Sequence, residues 1–219
     1  MTKKHKALFI IPARSGSKRL KGKNLKMFNG KPLIFWTIEQ CLRLRKYGKT
    51  VITSESENIL NKCSKYKEIN LIKRPKYLST PNASLIKVIR NVVLKLNYRG
   101  IIILLQPTSP LRSDYDVVKC LRILDSGALA VMSQSETQYD LSKLNKNVSG
   151  KKYKAFTKKT TNIYAPNGAV FGACYKWIKK NETFYDKSVV TFDMPAERSI
   201  DIDYEHQFIA AEALAKKRK

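Results

Sequence analysis

The stretch Ala7-Leu8-Phe9-Ile10-Ile11-Pro12-Ala13-Arg14-Ser15-Gly16-Ser17-Lys18-Arg19-Leu20-Lys21-Gly22-Lys23-Asn24 decides the fold. Its first five residues are a continuous apolar run of strand length, and most of the next thirteen are small, cationic or hydroxylated. A core strand that opens into such a loop places the loop at the strand's carboxyl end, where anions bind. Gly16 permits a tight turn that aims successive N–H groups into one concavity, Arg14, Lys18 and Lys23 supply charge, and Ser15 and Ser17 supply hydroxyls. Each charge-assisted hydrogen bond to phosphate contributes roughly 1.5–3 kcal/mol, so three or four would hold a triphosphate at micromolar levels. The loop has neither the Gly-Lys-Ser/Thr ending of a Walker motif nor the Gly-x-Gly-x-x-Gly of a dinucleotide fingerprint, which argues against ordinary ATPases and dehydrogenases. A solvated basic loop is the alternative that the residues alone leave open.

Outward from this loop the chain alternates. Helices are expected over Pro32–Leu44, Glu57–Tyr66, Ser84–Leu96, Tyr115–Leu124 and Tyr204–Lys217. Strands are expected over Thr50–Thr53, Asn70–Ile72, Ile101–Leu105, Leu129–Ser133, Ala169–Tyr175 and Val189–Phe192. Alternation of this kind predicts an α/β fold with an open, mostly parallel sheet, whose ligands lie beyond the carboxyl ends of the strands. Between about Glu136 and Ala165 the periodicity fades into a lysine-rich polar stretch, an insertion, subdomain or oligomer arm of about residues 135–166. With no repeat and no linker, residues 1–219 form one domain.

The formal charge of +26 would by itself suggest a polyanionic partner, yet the lysines are spread along the chain without one basic stripe or aromatic interleaving. Composition therefore predicts no dedicated nucleic-acid site, only salt-sensitive sticking to polyanions. No apolar run reaches membrane-spanning length, and the segment after Met1–Lys6 is too short for a signal-peptide core, so no membrane role is expected. Cys41, Cys63, Cys120 and Cys174 lie singly, as reduced thiols of a cytoplasmic protein would.

Three ordered blocks carry a resemblance. Ile11–Leu20 with Gly22-Lys23-Asn24 and Gly30-Lys31-Pro32-Leu33-Ile34, then Leu104-Leu105-Gln106-Pro107-Thr108-Ser109-Pro110-Leu111-Arg112, then Met194–Asp203 together resemble the acylneuraminate cytidylyltransferases, the CMP-sialic acid synthetases, nearly end to end. The resemblance implies a Rossmann-like, GT-A-like nucleotidyltransferase architecture with a small dimerisation insertion. It further implies CTP as substrate, Mg²⁺ or Mn²⁺ as cofactor, a nonulosonic acid as acceptor, and a homodimer in which the segment near Ser135–Pro166 reaches the partner's site. Carried onto this chain, it assigns nucleotide binding to Ala13, Arg14, Ser15, Gly16, Ser17, Lys18, Lys23, Asn24, Arg74 and Ser84. Gln106, Thr108, Ser109 and Asn167 would meet the sugar, and Asp201 and Asp203 the metal. Catalysis would rest on Arg14, Lys18, Lys23 and Asp203.

The residues support parts of this independently. Gln106 follows the most apolar strand and precedes a proline-fixed turn, where it would either contact a sugar or satisfy turn backbone groups. Asp201 and Asp203, two apart in extended chain, face the same side; they repel unless a cation joins them, and hard oxygen ligands suit Mg²⁺. Asp203 is equally placed to cap the last helix. Departures from the family pattern fall mainly on the sugar half. Tyr164-Ala165 replaces the usual Tyr-Arg, and no arginine stands near Thr157, where Lys158 and Lys159 are poor geometric equivalents. Ser54-Glu55 stands for Thr-Asp, and Pro81-Asn82 for Asp-Thr. The acceptor therefore extends to legionaminate and pseudaminate.

The reaction expected is attack of the sugar's anomeric hydroxyl on the α-phosphorus of CTP with release of pyrophosphate, with neither His5 nor His206 placed to act as base. The rivals are another sugar-acid nucleotidyltransferase, such as a Kdo-type enzyme, and a noncatalytic basic nucleic-acid-binding protein.

Overall fold

The computed structural model describes residues 7–17, 19–137 and 163–217. A seven-stranded sheet runs through it. Its members are β1 (Ala7–Pro12), β4 (Gly48–Ser54), β5 (Asn70–Lys73), β6 (Ile101–Leu105), β7 (Ala130–Thr137), β8 (Ile163–Cys174) and β9 (Val190–Asp193), in the spatial order β5-β4-β1-β6-β8-β7-β9. A short hairpin, β2 (Met27–Phe28) with β3 (Lys31–Pro32), stands apart. The helices are α1 (Leu33–Arg43), α2 (Glu57–Cys63), α3 (Leu85–Lys95), α4 (Asp114–Asp125), α5 (Tyr175–Lys180) and α6 (Glu205–Lys217).

Side chains alternate across a strand, and β1 shows the consequence. Phe9 and Ile11 pack on one face against Ile34 and Ile38 of α1, Ile59 of α2 and Val117 and Leu121 of α4. Leu8 and Ile10 pack on the other against Ile86 and Ile89 of α3 and Trp177 and Ile178 of α5. Both faces are thus covered, which is why β1 and β6 are apolar throughout instead of alternating. A third cluster of Leu20, Phe28, Leu33, Leu111, Ile202, Phe208 and Ala211 binds α6 beside the hairpin and the loop after β1.

The expected elements are present, with differences at their ends, but the β2–β3 hairpin and α5 were not expected, and Tyr175, expected in a strand, opens α5. Pro32 stands outside α1 as its cap residue, and the helix expected to reach Tyr66 ends at Cys63. The larger difference is at β7 and β8. Four of the six neighbour pairings are parallel, as expected, but β8 runs antiparallel to both β6 and β7. The β7–β8 pair continues past a bulge near Met132–Gln134 to Glu136↔Tyr164 and Thr137↔Ile163, so residues at both ends of the expected insertion are strand. Residues 138–162, the body of that insertion, lie outside the described residues.

The four cysteines are free, three of them buried. Burial pushes the Cys41 thiol up to about 12 and Cys63 up to about 11, which suits packing and not nucleophilic chemistry. Among the described residues no helix is long and apolar enough to cross a membrane.

Candidate active site

β1 pairs with β4 on one side and β6 on the other, both in parallel, so successive connections leave β1 in opposite directions and a crevice opens between the carboxyl ends of β1 and β6. A cleft of about 310 Å³ occupies it. Pro12 and Arg14 line it from β1, Gln106, Pro107 and Thr108 from β6, and Asp201 and Asp203 from the segment before α6. A mainly apolar wall of Leu78, Ala83, Leu85 and Val88 closes the side nearest α3.

The loop after β1 is held by its own backbone and by neighbours. The Ala13 amide donates to the Thr53 carbonyl (3.0 Å), and a three-residue turn centred on Gly16 is closed by the Ser17 amide on the Ser15 carbonyl (2.9 Å). The left-handed glycine is further on: Gly22 has φ 63° and starts the short turn Lys23–Leu25, from which the Asn24 side-chain Nδ2 donates to the Arg14 carbonyl (2.8 Å). Ser15 turns both its amide and its hydroxyl onto Glu55 Oε1, at 2.7 and 2.8 Å. Glu55 Oε2 accepts from Arg74 Nη2 (3.2 Å), and Arg74 is almost wholly buried. Burial lowers the proton affinity of Arg74 below the usual arginine range, Glu55 opposes this, and the positive charge of Arg14 adds to it, so two guanidinium groups share the cleft. Arg14 Nη1 and Arg74 Nε are buried with no hydrogen-bond partner.

Lys23 does not stand free. Its ammonium donates to the Ile202 carbonyl (2.7 Å) and to Asp203 Oδ1 (2.6 Å), while Arg19 Nη1 donates to Asp203 Oδ2 (2.7 Å) and its guanidinium lies 5.0 Å from the Tyr204 ring centre. Asp203 therefore ties the loop to the end of the chain instead of capping α6. The capping acceptor is Gln207, whose Oε1 accepts from the Asp203 and Tyr204 amides at 2.7 and 2.9 Å. Burial acts to raise the Asp203 carboxyl, but Lys23 and Arg19 outweigh it and hold it below the usual carboxylate range. Asp201 differs. Its Oδ1 is buried without a partner, and burial raises its carboxyl above the ordinary value; the Thr108 hydroxyl opposes this, the Asp203 charge adds to it, and Lys23 and Arg19 oppose it.

The remaining expected site residues divide. Gln106 and Thr108 line the cleft, joined by a contact from the Thr108 hydroxyl to Gln106 Oε1 (3.4 Å). Gly168, φ 73°, lies behind them; a β-carbon there would sit 3.4 Å from Asp201 Oδ2 and 3.5 Å from Gln106 Oε1. Ser109 is fully buried beneath the turn with its hydroxyl unpartnered. Asn167 is buried with its side-chain oxygen accepting from the Ser133 hydroxyl and the Ala169 amide and its nitrogen donating to the Ser199 hydroxyl, so its polar atoms tie β8 to β7 and to the segment around Ser199. Ser84 sits between two lining residues, but its hydroxyl donates to the Glu182 carbonyl (3.1 Å). Lys18, Lys158 and Lys159 lie outside the described residues.

A divalent cation fits this cleft in part. Asp201 offers an unpartnered buried oxygen, whereas both oxygens of Asp203 are held by Lys23 and Arg19. Among the described residues no group of three or more His, Cys, Asp or Glu side chains forms a ready metal site, so phosphate and water oxygens would complete the shell, as Mg²⁺ commonly requires.

Three residues of the site were not legible as such. Glu55 and Arg19 are identified by their partners far along the chain. Arg112 is buried with its Nη1 on the carbonyls of Gln106 (3.3 Å) and Ala169 (2.7 Å) and its Nε on Gln40 Oε1 (2.8 Å), and burial lowers its pKa to about 10. It pins the exit of β6 to β8. The signal available for Glu55 was its place just beyond an expected strand, in the Ser54-Glu55 pair that stands for the family's Thr-Asp.

A family model described as cytidylyltransferase matches residues 8–208. The chain is 32% identical over 213 residues to a pseudaminic acid cytidylyltransferase of Campylobacter jejuni, covering 90% of this chain and 91% of that protein. It is 28% identical over 222 residues to an N-acylneuraminate cytidylyltransferase of Escherichia coli, covering 97% of this chain; the chain spans about half, 53%, of that relative's length. A solved CMP:2-keto-3-deoxy-manno-octonic acid synthetase complexed with CTP superposes with a TM-score of 0.74 at 17% identity, over 98% of this chain and 100% of its own, a likeness of fold.

Proposed function

The chain belongs to the cytidylyltransferase family, and from that premise we propose that it transfers CMP from CTP to the anomeric hydroxyl of a nonulosonic acid, releasing pyrophosphate, in glycan biosynthesis. One observation carries the reading. A single cleft at the β1/β6 switch point holds buried donors on Arg14 and Arg74 and a buried acceptor on Asp201, none with a protein partner. Its complement is a ligand with anionic oxygens at one end and a cation beside them, as in a metal-bound nucleotide.

In this reading the pyrimidine lies against Leu78, Leu85 and Val88, with Arg74 at its polar edge, and the triphosphate follows the loop past Arg14, Ser17 and Asn24. The acceptor sugar meets Gln106 and Thr108 on the β6 side. The anomeric oxygen bonds to the α-phosphorus as the bond to the bridging oxygen breaks, pyrophosphate takes that electron pair, and the hydroxyl proton passes to solvent water. The protein's share is orientation and charge: Arg14 and Lys23 neutralise the phosphates, and Asp201 keeps a negative centre at the α-phosphate end. When bound, Mg²⁺ held by Asp201 and Asp203 would supply Lewis-acid neutralisation of phosphate charge. His206 is not among the residues that line the cleft, and its ring stacks on Tyr204.

A homodimer is part of the proposal, with the ribbon of β7 and β8 as the root of the arm that reaches the partner, and the cytoplasm, where CTP is made, as the compartment. Pyrophosphate release measured with CTP, Mg²⁺ and a panel of nonulosonic acids tests the reaction. Release should need CTP and one or more of the panel; no release with any of them, together with salt-dependent oligonucleotide binding indifferent to CTP, would favour the noncatalytic rival.

A further inference from the structure

Glu55 is the first residue beyond β4, at the edge of the sheet where the ligand cleft opens, and its side chain is only 13% exposed. One of its oxygens accepts from the Ser15 amide and hydroxyl, and the other accepts from Arg74 Nη2. A single carboxylate thereby clasps the two cationic walls of the cleft: the loop after β1, which carries Arg14, and the segment after β5, which carries Arg74. Arg74 is held a second time by its own amide on the Ser54 carbonyl (2.8 Å), so its backbone is fixed and its guanidinium is aimed from Glu55. Arg14 and Arg74 repel each other, and Arg74 is buried, so a negative group between loop and arginine lets both cations occupy one site before a nucleotide arrives. Burial acts to raise the Glu55 carboxyl, but the Ser15 amide and hydroxyl, with Arg74, outweigh it and keep the group ionised well into mild acid.

We propose that Glu55 is a positioning residue that sets the spacing between the phosphate loop and Arg74, so that nucleotide affinity and base discrimination depend on it together although it touches neither phosphate nor base. The inference rests on the CTP reading given above. Reach is part of it: Oε1 meets Ser15 while Oε2 meets Arg74, and aspartate, one methylene shorter, would draw back from both. Because both Ser15 donors are taken by Glu55, Ser15 acts through the shape of the loop and not as a phosphate ligand.

The test compares the full chain with Glu55→Gln and Glu55→Asp. The readouts are the Kd for CTP and for UTP with Mg²⁺ by titration calorimetry, kcat and KM for pyrophosphate release, and the melting temperature. Glu55→Gln keeps an acceptor for Ser15 but offers Arg74 no charge, and should weaken CTP by about tenfold or more. The preference for CTP over UTP should shrink in parallel, and KM should rise more than kcat falls. Glu55→Asp, which keeps the charge, should recover part of the affinity; adding Arg74→Lys to Glu55→Gln should cost much less than the two single losses combined. A folded Glu55→Gln chain that binds CTP and rejects UTP as the parent does would overturn the inference, and so would a lower melting temperature as the sole change in both variants. If the parent chain releases pyrophosphate normally in those same assays, only this inference has failed; if the parent neither binds CTP nor releases pyrophosphate, the functional reading has failed with it.

Discussion

Replacing Asp201 by Asn should make the protein more stable and less active. Asp201 Oδ1 is buried without a hydrogen-bond partner, and burial, reinforced by the Asp203 charge, raises the carboxyl above its ordinary value against the pull of Thr108, Lys23 and Arg19. A carboxyl whose folded pKa lies above its unfolded one favours folding while protonated. That contribution is complete below about pH 4 and disappears as pH rises from there through the folded value, leaving a cost at neutrality. An unsatisfied buried acceptor costs about 1–3 kcal/mol. Asn keeps the shape and one acceptor and gives up the attraction to Lys23 and Arg19, so the net gain should be on the order of 1 kcal/mol, a rise of about 2–4 °C in melting temperature for a chain of this size. Thermal melts without nucleotide should show the variant above the parent at pH 7, with the gap closing towards pH 4. With CTP and Mg²⁺ the parent should gain more melting temperature than the variant, and pyrophosphate release by the variant should drop about a hundredfold or more. A variant that melts below the parent at pH 7, or a gap insensitive to pH, would mean that Asp201 is a structural hydrogen-bonding group and would refute the reasoning.

Arg14→Ala should weaken CTP binding and lower kcat/KM by about tenfold to a thousandfold while leaving the melting temperature within about 2 °C, because its buried Nη1 has no protein partner to lose; calorimetry beside melting curves checks it. Asp116, nearly fully buried, holds Arg198 through two hydrogen bonds of 2.9 and 3.0 Å, and although burial acts to raise its carboxyl, Arg198 and Ser113 hold it below the usual range. Its contribution is present above about pH 4 and lost as pH falls through the folded value, so Asp116→Asn should cost about 2 kcal/mol in urea unfolding at pH 7 and progressively less in acid. Gly168→Ala forces a β-carbon into left-handed backbone within 3.4 Å of Asp201 Oδ2, and should cost about 1–2 kcal/mol in the same unfolding assay.

How far the sequence reached can be followed residue by residue. The apolar runs Ala7–Ile11 and Ile101–Leu105 are legible because a strand covered on both faces has no polar side to show, and they turn out to be the neighbours β1 and β6 whose ends frame the cleft. The small and cationic loop after β1, the proline-fixed turn after β6 and the paired aspartates near the end are legible because each is contiguous chemistry. Local pattern therefore determined the α/β class, the side of the sheet on which ligands lie and three of the segments that line the cleft. It did not determine what those side chains touch. Whether Asp203 caps α6 depends on Gln207, four residues on, and on Lys23 and Arg19 at the other end of the chain. Ser15 and Arg74 meet only through Glu55, and Asn167 is taken by Ser133 and Ser199. The antiparallel course of β8 was equally hidden, since buried parallel and antiparallel strands share one apolar pattern. Backbone periodicity is set by neighbours a few residues apart, whereas an ion pair or a strand's direction is set by which distant segments the packed core brings within about 3 Å, and only the tertiary structure decides that.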